Sequence, residues 1–150
     1  MDQRYATNPS QIAGMTTADL RSNFLVPEIF VEGEIRLVYT HHDRIVLGGA
    51  TPAGTRLELT GYEEIRSETF LEHRELGIIN VGGPGIVTAD DETYTLVSGA
   101  CLYLGRGIER VAFEDADGAA QFYLFSAPAH TTYPSTLVPP GEGTVRELGD

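Results

Sequence analysis

Residues 70–85 hold the densest set of chemically capable side chains in the chain. Glu72, His73, Arg74 and Glu75 lie between Phe70-Leu71 and the glycine turn Gly82-Gly83-Pro84-Gly85. Carboxylates and an imidazole beside an apolar strand are groups with which small β-barrels hold a metal ion, because facing side chains must converge on one cation. The other histidines form weaker patterns. His41 and His42 are adjacent, and neighbours on a strand point to opposite faces, so they chelate poorly as a pair. His41, His130 and Glu72 can meet only through the fold, since no spacing ties them together. Ser126 and His130 carry no local signature of a nucleophile with its base. Cys101, the only cysteine, lies in the apolar run 100–104 and reads as a buried small hydrophobe.

The elements that must position these groups are strands. Residues 34–39, 44–47, 56–60, 76–81, 86–88, 93–96, 101–104, 110–113 and 121–125 are short and rich in β-branched and aromatic types, and 56–60 alternate apolar and polar with period two. Residues 24–26 are expected to form a further strand. Asp90-Asp91 marks a hairpin turn. One short helix is expected near 16–21, where Thr16 and Asp19 imitate a capping box. Many short strands without βαβ alternation predict an all-β sandwich or barrel. We divide the chain into an N-terminal arm with the short helix (1–22), a barrel (23–136) and an exposed tail or linker (137–150), the last rich in proline, glycine and acid.

Composition narrows the function. A chain of 150 residues with 41% hydrophobic content suits one domain with a real core. The net charge of −12 argues against nucleic acid, which needs a basic surface. Every basic residue is arginine, which excludes lysine Schiff-base and P-loop chemistry within this chain. No window approaches a membrane span, and 1–14 lack the order of a signal peptide. A single cysteine forbids an internal disulfide and fits a reducing cytoplasm.

The glycine spacing resembles that of cupins, the double-stranded β-helix (jelly-roll) barrels. Glu75 precedes Gly82 by the interval that closes the first cupin motif, and Gly99, Gly105, Gly107 and Arg110 follow the spacing of the second. The metal ligands of those motifs are missing. Counting back from Glu75 places the two histidine positions at Glu68 and Phe70, or at Thr69 and Leu71; Arg110 stands for the later histidine. Guanidinium has no lone pair for a cation, so the expectation is a barrel without a metal. Glu75 then pairs with Arg74 or Arg110 at the barrel mouth, and His73 is a hydrogen-bonded surface or interface residue.

Segments 23–26, 39–44, 70–80, 102–107 and 127–134 closely resemble the bacterial 5-keto-4-deoxyuronate isomerases (4-deoxy-L-threo-5-hexosulose-uronate ketol-isomerases). The resemblance implies a cupin-type barrel that is the N-terminal half of a bicupin, assembled as a hexamer. It implies interconversion of two keto-uronates in pectin breakdown, by a proton shift through an enediol. The zinc ligands of that family belong to a C-terminal cupin, so no cofactor and no catalytic residue is expected in this half, whose partners are the C-terminal half, further copies and a small anionic keto-sugar. Candidates for substrate or interface contact are His41, Arg44, Arg74, Glu75, His130 and Tyr133. Arg44 can pair a substrate carboxylate, or form a structural salt bridge to Asp43 or Glu75. The alternative is a stand-alone, metal-free cupin that binds a small acidic sugar.

Overall fold

Alternating burial along the strands builds two sheets around one core. The computed structural model describes residues 1–142, 146 and 149. Its elements are β1 (Asp2–Arg4), α1 (Pro9–Ile12), α2 (Thr17–Phe24), β2 (Glu34–Thr40), β3 (Ile45–Thr51), β4 (Leu57–Leu59), β5 (Arg74–Asn80), β6 (Gly85–Ala89), β7 (Glu92–Leu96), β8 (Cys101–Leu104), β9 (Val111–Asp115), β10 (Phe122–Pro128) and β11 (Thr136–Val138). A seven-stranded sheet has the order β1-β2-β3-β10-β5-β8-β11, and a four-stranded sheet the order β4-β9-β6-β7. From β3 to β10 the chain changes sheet at every connection except the β6–β7 hairpin. That alternation defines the all-β, double-stranded β-helix barrel that the strand pattern and glycine spacing led us to expect.

The core lies between the sheets. Phe113 and Phe122 meet there with ring centroids 5.3 Å apart and planes tilted by 41°. Leu76, Ile78, Val87, Leu96, Leu104 and Leu124 surround them and are almost fully buried. Burial of these side chains, at about 1.5–3 kcal/mol each, is the main force closing the barrel.

The N-terminal region departs from expectation in three ways. Polar residues 2–4 form a strand, β1, which runs parallel to β2 with Asp2 opposite Val38 and Arg4 opposite Thr40. A second helix, α1, precedes the expected one and starts at an Asn8–Gln11 capping box. The strand expected at 24–26 is absent: α2 continues to Phe24, held at its start by Thr16 and Asp19, whose backbone N–H groups each donate to the other's side chain. Neither helix contains a buried residue. At the other end, β11 pairs antiparallel with β8 from Thr136 to Val138. The boundary placed at 136 therefore falls inside a strand, and Leu137 packs on the core. Residues 143–145, 147, 148 and 150 of the expected tail lie outside the described residues.

Candidate functional site

The phase of β5 decides what residues 70–80 can do. Arg74, Leu76, Ile78 and Asn80 are buried, whereas Glu75, Gly77 and Ile79 are not. Glu75 therefore points away from the barrel interior, where a cupin glutamate ligand must point. Neither arginine pairs with it. Its carboxylate accepts a hydrogen bond from the Tyr103 hydroxyl at 2.8 Å, while Arg110 pairs with Asp91 at 3.3 Å on the exposed surface. The positions counted back from Glu75 are no better suited to a metal. Phe70 and Leu71 are 2% and 0% exposed and plug the core. Among the described residues no three His, Cys, Asp or Glu side chains form a metal-holding group. The buried Phe70 and Leu71 side chains offer no donor atom to a zinc ion.

Arg74 takes the interior place beside that plug. It is 5% exposed, and no carboxylate pairs with it among the described residues. Its Nε donates to Ser126 Oγ at 3.0 Å, and Nη2 donates to the carbonyls of Arg44 and Ser126, both at 2.8 Å. Burial holds its pKa below the usual arginine value, Tyr39 opposes that shift, and the charge of Arg44 adds to it. The Ser126 hydroxyl in turn donates to the Glu75 carbonyl at 2.6 Å. Ser126 thus serves the guanidinium and the backbone rather than a histidine base.

Arg44 is not in a salt bridge with Asp43 or Glu75. Its contribution to the interior is its carbonyl, delivered by a turn in which Asp43 and Arg44 both take left-handed backbone angles, φ 57° and 58°. Such angles are strained for these residue types. His41 lies in the same turn, not on a strand. It stacks on Tyr5 with centroids 4.7 Å apart, meets the edge of Tyr39, and has Nε2 3.0 Å from Gln3 Oε1. The neighbouring His42 packs near Phe24 at 5.9 Å.

On the other side of the mouth, Arg106 ties three strands' worth of loop together. Its Nε donates to the Glu72 carbonyl at 3.0 Å, Nη1 to the Ala129 carbonyl at 3.3 Å, and Nη2 lies 3.4 Å from His73 Nδ1. His73 also pairs with Glu72 at 3.2 Å, as a hydrogen-bonded surface histidine should. Sequence reasoning missed Arg106; its place beside Gly105 and Gly107 was the available signal. His130 and Tyr133 are exposed. The backbone of Tyr133 lies so close over Gly105 that a Cβ there would fall 2.1 Å from its carbonyl oxygen. Gly105 is therefore a packing glycine rather than a turn glycine in this barrel.

Tyr103 reports on the outer face. Burial first, and the Glu75 carboxylate second, push its phenol up to about 12. A phenol raised above its unfolded value stabilises the fold fully below about pH 10, and that contribution is lost as pH rises toward about 12. Stability should fall across that window, and Tyr103→Phe should remove part of the fall together with a phenol ionisation at about 12. An ultraviolet titration of the two proteins checks this; an unchanged late step in the variant contradicts it.

A polar groove of about 580 Å³ crosses the outer face of the small sheet. Its arginines are already engaged, Arg56 with Glu58 and Glu114, Arg110 with Asp91. Among the described residues no helix is long and apolar enough to cross a membrane.

Fold and site together define a double-stranded β-helix barrel whose interior is packed with apolar side chains at the positions where related barrels mount ligands. The chain belongs to the KduI/IolB family, whose sequence pattern matches residues 24–150. It is 59% identical over 155 residues to the 4-deoxy-L-threo-5-hexosulose-uronate ketol-isomerase of Kineococcus radiotolerans, covering 100% of this chain and 56% of that protein. It is 46% identical to the protein of that name from Agrobacterium fabrum, with 99% and 53% covered, and 42% identical to that of Bacillus subtilis, with 100% and 55% covered. The chain thus spans about half the length of the curated relatives it matches. Among solved structures it is similar to the Schizosaccharomyces pombe Cnp3 cupin domain, at 14% identity, TM-score 0.48, with 63% of this chain and 59% of that chain covered. A Bacteroides fragilis cupin protein matches at 17% identity and TM-score 0.42, covering 69% of this chain and 77% of that chain.

Proposed function

We propose that this chain is the N-terminal half of a keto-deoxyuronate ketol-isomerase of bacterial pectin and uronate breakdown. Its work is structural and oligomeric support for a zinc-bearing C-terminal half. One observation carries the assignment of support rather than catalysis. A proton shift through an enediol needs a base beside an acidic C–H and a group that stabilises the developing oxyanion. Among the described residues the buried polar side chains are Thr51, Arg74, Asn80 and Ser126, with no carboxylate or imidazole among them. The match of nearly this whole chain to about half the length of relatives named as ketol-isomerases supports the reaction class. On this reading zinc belongs to the half outside this chain, and the substrate is a small anionic keto-sugar.

The test uses the chain alone and a chimaera in which it replaces the matching part of the Kineococcus radiotolerans relative. The expected result is no isomerisation of the keto-uronate by the chain, with or without added zinc, and turnover by the chimaera near that of the intact relative. Turnover by the isolated chain overturns the support role, as does tight stoichiometric zinc binding involving His41, His73 or His130. An inactive but folded chimaera overturns the assignment to this isomerase.

A further inference from the structure

A buried charge ordinarily has an opposite charge beside it, because leaving it unpaired away from water is costly. Arg74 breaks that rule. It is 5% exposed, and in a chain with 22 acidic residues no carboxylate among the described residues reaches it. Its Nε donates to Ser126 Oγ, and Nη2 donates to the carbonyls of Arg44 and Ser126. These acceptors satisfy hydrogen bonds but supply no negative charge. Nη1 carries two further donors and has no acceptor among the described residues.

Two more donors gather at the same end of the barrel. Tyr39, Val46, Ser126 and Leu76 form one row across β2, β3, β10 and β5. Arg74 precedes Leu76 by two residues on the same inner face. Tyr39 is half-buried against the core, and its hydroxyl has no hydrogen-bond partner among the described residues. The Arg44 guanidinium is exposed and has no partner among them either. Its turn takes left-handed angles at both Asp43 and Arg44, a conformation that hairpins ordinarily give to asparagine and glycine. Strain of this kind collects at ligand clamps. Tyr39 and Arg44 both lie close enough to act on the charge of Arg74. The result is a recessed guanidinium, an exposed guanidinium and a phenol with no anion between them. The rim of this end is polar, with His41, Asp43 and Arg44 exposed, whereas the centre of a protein interface is depleted of charge. The net charge of −12 repels a dianion more than a monoanion, which favours a carboxylate over a phosphate. We propose that Arg74 Nη1, the Arg44 guanidinium and the Tyr39 hydroxyl together hold the carboxylate of a small organic acid at this end of the barrel.

This inference rests on the charges at the barrel end and is independent of the isomerase assignment. The test is calorimetric titration of the chain with galacturonate, with galactose as a similar ring without the charge, and with inorganic phosphate. Saturable binding of galacturonate is expected, with none of galactose and weaker binding of phosphate. Arg74 also holds Ser126 in place, so two variants that leave it intact decide the matter. Arg44→Gln and Tyr39→Phe, each checked for an unchanged circular-dichroism spectrum, should weaken binding roughly tenfold, as loss of one hydrogen bond to a charged group does. Galacturonate should also raise the melting temperature of the chain, and raise that of either variant less. Absence of galacturonate binding overturns the proposal, as do unchanged affinity in both variants and tighter binding of phosphate. Binding by the chain that disappears in the folded chimaera also overturns it, by assigning these donors to a carboxylate of the remaining half.

Discussion

Replacing Phe70 by alanine should cost about 3–5 kcal/mol, the usual range for removing a buried phenylalanine. Phe70 is 2% exposed, meets Tyr62 edge-on at 6.3 Å and belongs to the main core cluster. Small domains have roughly 5–15 kcal/mol of stability in total, so the urea midpoint should move far and a marginal fold would be lost. Phe24→Ala is the control: that ring is 47% exposed, and the change should stay below about 1 kcal/mol. Phe70→His is the informative third variant. It restores a cupin-like histidine at a counted ligand position, yet Glu75 faces away and Leu71 is fully buried beside it. It should destabilise about as much as alanine, because an unpaired imidazole is buried. Zinc should not raise its melting temperature; a zinc-dependent rise would show that the interior can still assemble a site.

Asn80→Leu should cost about 2–5 kcal/mol, although the two side chains are close in volume. Asn80 is fully buried. Its Nδ2 donates to the carbonyls of Gly83 and Leu96, both at 2.8 Å, and its Oδ1 accepts from Gly82 N–H at 3.1 Å. Leucine strands those three backbone groups, each at about 1–3 kcal/mol when buried, partly relieved by its own apolar transfer. Asn80→Asp should be worse at neutral pH, since a carboxylate oxygen would face two carbonyls. Burial and repulsion would raise its folded pKa above the unfolded value of about 3.9. The variant should then regain stability as the pH falls toward about 4 and lose it as pH rises, opposite to an ordinary salt-bridged aspartate. Denaturant titrations at several pH values check the sign.

Much of the fold is legible in short-range pattern. Period-two alternation around Leu57 and Leu59 and the Asp90-Asp91 turn predict β4 and the β6–β7 hairpin, because each depends on neighbours a few residues away. The site is harder to read. Residues 76–81 are nearly all apolar, so no polar marker discloses which face of β5 is inside, and Glu75 can be assigned to the wrong one. Arg74 has the same difficulty: a charged residue at the start of a strand reads as exposed, and only the carbonyls of Arg44 and Ser126, far away in sequence, make it interior. β1 is illegible for a related reason. Three polar residues become a strand by pairing with β2 across the whole N-terminal excursion. The Phe24-Leu25-Val26 run has strand composition, but the capping box at Thr16 starts a helix that reaches Phe24 first.

The strand order also sets a schedule. β10 sits between β3 and β5 at the middle of the large sheet, yet it is among the last strands in the chain. During synthesis β3 and β5 leave the ribosome with their shared neighbour unmade, and neither can complete its hydrogen bonding until residue 128 has emerged. Pairings at this sequence separation fold slowly, over about milliseconds to seconds, and leave apolar edges open to other chains meanwhile. Folding of this barrel is therefore expected to wait until β10 has left the ribosome, and its yield in cells to depend on how well those edges are shielded during the wait.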